Sequence, residues 1–323
     1  MTENAPAKTT SPGHEIAGNP DAARRLTQKA TLITSATAFG LILMKLTVGL
    51  TTGSITVLAS AVDSCLDFLV SAFNAVATRQ AGRPSDEAFN YGRGKLEGLA
   101  ASFEGGFILV SAGYIGWQAM ARLMRPQVLE AKNLDIAVIV MAVSLGVTYV
   151  LVRYLGRSAA QAAGNIILEA DALHYRTDLW TGVGVLLSLF AIRLTGWNWL
   201  DPVIALGLAA YIAGAALPLL RKGLEQLLDR ALDPVLIDRI RSVVASHAMV
   251  NGMHEMRSRR AGDTNFIDFH LVLSESMTLG QAHRISDEIE NRIRALDPSR
   301  WSIQIHLDPV DDSRRDQRLR GQS

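Results

Sequence analysis

Two pairs of ionisable residues stand out, because each sits at four-residue spacing inside an apolar run. Asp63 and Asp67 occur in SAVDSCLDFLV, and His174 and Asp178 in DALHYRTDLW. On a helix, residues i and i+4 lie on one face, so each pair presents two ligand groups together. Asp, Asp, His and Asp suit a tetrahedral ion of the Zn²⁺ type, and also accept Fe²⁺, Mn²⁺, Co²⁺ or Cd²⁺. Three carboxylates around one dication leave an excess of negative charge. Protons are then the natural replacement when the ion departs, and His174 titrates near neutrality.

The elements that must position these groups are membrane spans. Six stretches have the roughly 20 apolar residues a span needs: about 30–51, 55–78, 98–124, 134–152, 166–194 and 202–220. The longest uncharged run in the fifth, Leu179–Ile192, would cover only about 21 Å as a helix, short of a hydrocarbon core of roughly 30 Å. Asp178, and with it His174, must therefore lie at membrane depth. Asp67 lies 12 residues from Arg79, and Asp178 lies 12 beyond Ile166. Each is thus about 18 Å in from the same side. Two oppositely running helices deliver their pairs to one level, as a shared site requires. Intramembrane charge is costly enough to carry function by default. The competing reading, interhelical ion pairs, has few basic partners: Lys45 in the first span, and Arg176, two residues from both His174 and Asp178 and so facing away.

Composition agrees. The chain has 323 residues, 49% hydrophobic and only 20% charged, below the usual share for soluble domains. A net charge of +1 gives no reason to expect nucleic acid, and the single cysteine, Cys65, excludes an intrachain disulfide and a cysteine zinc finger. Lys and Arg favour the side shared by both termini, eleven against four, which predicts cytoplasmic N- and C-termini for a multi-pass protein of the cell (inner) membrane. Residues 1–25 are predicted to be a disordered cytoplasmic tail containing His14, 26–220 the six-helix membrane domain, 221–310 a cytoplasmic domain, and 311–323 a disordered end. In the cytoplasmic domain the periodicities read α-β-β-α-β: a helix over 233–247, strands at 253–259 and 265–273 around an Ala261-Gly262-Asp263 turn, a helix over 279–296 and a strand at 301–307. That order makes a metallochaperone-like sheet with helices on one face. His254, His270 and His306 fall on its strands and His283 on its second helix.

At this point the chain resembles the cation diffusion facilitators, a family of dimeric zinc/iron-type efflux antiporters. The resemblance runs from about Leu26 to Val310 and is carried by GSITVLASAVDSCLD, FNYGRGKLEGLAA, EADALHYRTD, the LDP opening span six, and IQIHLDP. It implies a homodimer in a lipid bilayer that exports Zn²⁺ or Fe²⁺ in exchange for protons, with Asp63, Asp67, His174 and Asp178 as the transport site. It further implies that His254, His270, His283, His306 and Asp308 bind Zn²⁺ or Fe²⁺ near the dimer contact of the cytoplasmic domains, Asp308 as a bridging carboxylate. Lys95 and Asp229 resemble a pair that locks the hinge between the two parts. Many relatives have another metal site between spans two and three, made of an acid and two histidines. Here Asp86 is followed by Phe89 and Arg93 where histidines would stand, so no metal site is expected in this loop. Two alternatives are open: a membrane metalloenzyme, which would need a metal-bound water and lacks an HExxH helix, and a metal sensor or assembly partner that binds without transporting.

Overall fold

The structure, a computed structural model, describes residues 20–52, 55–124, 134–162, 165–195, 197 and 199–309; the sequence features at His14 and 311–323 lie outside them. It divides into two compact units, one of Ala22–Leu224 and the other of the residues from Glu225 onward together with those up to Asp21.

The first unit consists of six helices: α1 (Pro20–Thr52), α2 (Ile55–Ala81), α3 (Lys95–Met124), α4 (Leu134–Gln161), α5 (Ile166–Thr195) and α6 (Leu200–Leu227). Helix α1 starts earlier than the predicted tail boundary, so residues 20–25 are helical rather than disordered. Pro20, whose φ is already helical, and Asp21 in the first turn favour a start there. Polar residues on α1 satisfy themselves locally. Buried Thr27, Thr31 and Thr34 return their hydroxyls to carbonyls three or four residues back, as apolar surroundings demand. Helix α6 likewise runs past residue 220 to Leu227. There Gly223 lets α3 approach: a Cβ on it would stand 2.8 Å from Gly98 O and Ser102 N.

Length and composition qualify α1, α2, α3, α4 and α6 as membrane spans. Helix α5 is as long, at 30 residues, but holds Glu169, Asp171, His174, Arg176 and Asp178 in its first half. That half is the centre of the unit. Ile166 and Ala170 pack with Ala101, Ile108, Ile212 and Ala216 of α3 and α6. Leu168 and Tyr175 pack with Ala30, Leu151 and Leu155 of α1 and α4, while Ile167 meets Ala77 and Ala100 of α2 and α3. Helix α5 packs against all the others, so Asp171 and His174 are buried in protein instead of facing lipid, while Arg176 is exposed.

The second unit has the predicted order: α7 (Pro234–Ala245), β1 (Gly252–Ala261), β2 (Thr264–Leu273), α8 (Leu279–Arg294) and β3 (Arg300–Pro309). Asp233 caps α7 by accepting from Val235 N, ahead of Pro234. Thr278 and Gln281 form a reciprocal capping box on α8. Gly262, at φ 61°, makes the β1–β2 turn. Strand β2 is central, antiparallel to β1 and parallel to β3. Ile267, Phe269, Leu271 and Leu273 point from β2 to one face, where Ile240 and Val244 of α7 and Ile285, Ile289 and Ile293 of α8 cover them. Period-two alternation leaves the other face for the polar residues of β2, Asp268 and His270.

Candidate metal centres

In the helical unit, α2 and α5 are tied together by buried hydrogen bonds. Ser71 and Tyr175 share one of 2.8 Å, and one turn along α2 Asn74 donates to Asp171 at 2.6 Å. This register sets Asp67 opposite the His174–Asp178 pair. His174 Nε2 lies 3.5 Å from Asp67 Oδ1 and 3.6 Å from Asp178 Oδ2. The nitrogen is buried and makes no hydrogen bond. Two ligands each about 2.0–2.1 Å from a shared tetrahedral ion stand about 3.3–3.4 Å apart, so these separations are close to those of a ligated set. The His174 side chain is 4% exposed, whereas those of Asp67 and Asp178 are 31% and 41% exposed. The histidine is fixed by packing, with Phe107 and Tyr175 against its ring, and the carboxylates stay reachable. Asp63 lies one turn before Asp67 on α2, but its side chain is outside the described residues. Arg176 is exposed on the other side of α5, and Lys45 of α1 donates to Ser64 Oγ at 2.7 Å.

In the second unit, the sheet register places His254, His270 and His306 in one row, His254 opposite His270 and His270 opposite His306. Their rings lie 5.0 and 4.6 Å apart, the spacing of adjacent strands. Asp308, two residues after His306 and so on the same face, spans the row. Its Oδ2 is 2.8 Å from His270 Nδ1 and 3.2 Å from His254 Nε2, and its Oδ1 is 3.1 Å from His306 Nε2. His254 Nε2 is buried and unbonded. Two imidazoles and one buried carboxylate within ligand distance of one another fit a Zn²⁺- or Fe²⁺-class ion. The described residues do not bring His283 to this row. It sits on the exposed face of α8, its Nε2 3.7 Å from Asp287.

Glu255 lies beside this row, which sequence reasoning did not anticipate. Strict alternation would turn it away from His254, but the β1–β2 register slips between His254 and Arg257, and Glu255 adopts φ 54°. A β-bulge of this kind re-aims a side chain. Its carboxylate reaches to 3.9 Å from His254 Nδ1 and 3.8 Å from His270 Nε2. Holding a glutamate in the left-handed region costs of order 1–3 kcal/mol. Asp171 and Asn74 were also missed; the acid in EADALHYRTD was the available signal.

The loop between α2 and α3 is organised differently. Arg93 donates to Asp86 Oδ2 at 2.6 Å and lies over the Phe89 ring, while the Ala88 and Phe89 amides donate to Asp86 Oδ1. The Arg93 hydrogen bond, helped by the Phe89 amide, holds the Asp86 carboxyl below its ordinary value of 3.8. Asp229, also in the left-handed region, lies 3.4 Å from Arg259 within the second unit. His247 pairs with Glu288 at 3.2 Å.

The chain matches two family models in series, the cation efflux transmembrane domain over residues 31–228 and the cation efflux protein cytoplasmic domain over 232–310. It is 39% identical over 275 residues to the cation-efflux pump FieF of Shewanella oneidensis, covering 85% of this chain and 91% of that one. FieF of Klebsiella pneumoniae is 34% identical over 285 residues, covering 88% and 93%. Among solved structures, one described as the putative zinc transporter CzrB is 31% identical, over 24% of this chain and 96% of that one, with a TM-score of 0.23. With both domains matched in order and a histidine–carboxylate cluster in each, the chain belongs to the cation diffusion facilitator family: it is a membrane cation-efflux transporter, not an enzyme.

Proposed function

We propose that this protein exports Zn²⁺ or Fe²⁺ from the cytoplasm in exchange for protons, with Asp63, Asp67, His174 and Asp178 as the transport site. The observation that carries the reading is His174 Nε2, buried, unbonded and facing Asp67 and Asp178 at 3.5 and 3.6 Å. Groups on α2 and α5 then change access together by rocking against the remaining helices. The protein works as a homodimer in the inner membrane with both termini in the cytoplasm.

His254, His270, His306 and Asp308 bind ions of the same class, with Glu255 turned toward them by the bulge. Asp308, whose two oxygens face different histidines, is the bridging carboxylate. His283, exposed on α8, serves a metal at the dimer contact. Metal there draws the cytoplasmic domains together and biases the transport equilibrium. The loop at Asp86, Phe89 and Arg93 carries no metal, since the Asp86 carboxylate is already engaged by Arg93.

The deciding experiment is an ion panel in proteoliposomes with a metal-sensitive dye inside, comparing wild type with Asp67→Ala. Uptake of Zn²⁺ or Fe²⁺ by wild type and none by the variant supports the reading. Binding without uptake in the wild type would mean a sensor instead.

A further inference from the structure

Seven residues beyond Asp67 on α2, Asn74 donates from one side-chain nitrogen to two carboxylates: Glu104 Oε2 of α3 at 2.7 Å and Asp171 Oδ1 of α5 at 2.6 Å. The amide nitrogen has two hydrogens, and this arrangement uses both. All three side chains have 0% exposure. Each also keeps an oxygen without a hydrogen-bond partner: Asn74 Oδ1, Glu104 Oε1 and Asp171 Oδ2. The groups facing Glu104 are Asn74, Asp171, and His174 and Asp178 from α5. Those facing Asp171 are Asn74, His174 and Thr34 of α1. Among the described residues no Lys or Arg pairs with either carboxylate.

Two ionised carboxylates cannot be left in such a place. Each would forgo water, at an effective penalty of several kcal/mol per ion, in return for half of one neutral amide. Mutual repulsion adds to this. One proton on the pair removes both problems, and the unpartnered oxygens have room to hold it. Glu104 faces the carboxylate of Asp178 as well as that of Asp171, so the proton belongs on Glu104 and the remaining charge on Asp171.

We propose that Glu104 and Asp171, bridged by Asn74, hold one exchangeable proton at a site separate from the metal ligands, and that loading the transport site expels it. This rests on the transport-site reading above. When a dication arrives between Asp67, His174 and Asp178, its field falls on Glu104 across the same helix interface. The O–H bond of Glu104 breaks, the proton leaves to bulk water, and the new carboxylate offsets part of the added charge. Departure of the ion reverses the step. The three helices that Asn74 ties together include the two that carry the metal ligands, so the proton count and the helix arrangement are coupled through one side chain.

The test is calorimetry of Zn²⁺ binding to the full-length protein in detergent, in buffers of different ionisation enthalpy, which gives protons released per ion. A His254→Ala, His270→Ala, His283→Ala background leaves only the membrane site to be read. Glu104→Gln should bind Zn²⁺ within about threefold of the background protein while releasing roughly one proton fewer per ion. Asp171→Asn, which relieves the repulsion that keeps Glu104 protonated, should show the same loss and serves if the first variant does not fold. An unchanged proton count in the folded variants overturns the proposal, as does loss of Zn²⁺ binding in a folded Glu104→Gln protein. Asp67→Ala separates the two readings. If it binds Zn²⁺ like its parent, the transport site itself is wrong; if it does not, and only the proton count fails to move, the carboxylate pair alone is wrong.

Discussion

His174 shows how one side chain gathers a site. Its ring is fixed by aromatic neighbours, its Nε2 has no hydrogen bond, and carboxylates from two helices face that one atom. Loss of an outer-shell partner of a metal ligand typically costs 10–100-fold, so removing a direct ligand by Asp67→Ala should lower Zn²⁺ affinity by more than about 100-fold in equilibrium dialysis. Glu255 makes the complementary case. Glu255→Gln keeps the bulge and removes the charge, and should weaken Zn²⁺ binding at the cytoplasmic row about tenfold by calorimetry, leaving the fold unchanged. Asp86 supplies a pH effect whose sign is fixed. Arg93 and the Phe89 amide hold its carboxyl below 3.8, so the loop is stabilised above that value and released as pH falls through the depressed one. Protection of the Ala88 and Phe89 amides, followed by NMR, should persist through neutral and mildly acidic pH and disappear only below 3.8; Asp86→Asn should show no such transition.

Among the elements, α3 and α6 approach closely because small residues face each other. A Cβ on Gly105 would stand 3.0–3.1 Å from the Leu220 backbone, and one on Gly223 would meet backbone atoms of α3 at 2.8 Å. Close approach of backbones is how helices pack where lipid removes the hydrophobic drive. Gly223→Ala should therefore force the two helices apart and cost about 1–3 kcal/mol, read as a lower unfolding temperature in detergent. Tyr175→Phe leaves the Ser71 hydroxyl without its buried partner, with an expected loss of about 1–3 kcal/mol on the same measurement. Its effect on transport should exceed its effect on stability, because this bond sets the register between α2 and α5.

Across the whole molecule, two clusters lie in two separately packed units. The full chain should then bind metal in two classes that can be deleted one at a time, Asp67→Ala removing the membrane class and His254→Ala, His270→Ala and His283→Ala together removing the cytoplasmic one. His254→Ala, His270→Ala and His306→Ala together should weaken metal-dependent stimulation of uptake while leaving a basal rate. Uptake whose metal dependence is unmoved would refute a regulatory role for the row.

The sequence by itself was enough for the number of long apolar helices, the αββαβ order, and the two four-residue pairs, because helix and strand periods and the cost of charge in lipid are local properties. It also sufficed for His254, His270 and His306 as strand residues. What it could not supply was which faces meet. That α5, which holds five ionisable groups in its first half, is the central helix follows from three separate packing contacts. That Glu255 faces the histidines depends on a register slip, and that Asn74 joins Glu104 to Asp171 depends on residues 30 and 97 positions apart meeting. Spacing along a chain fixes the neighbours on one helix or strand; the identity of the group across the gap is set only when several such surfaces pack at once.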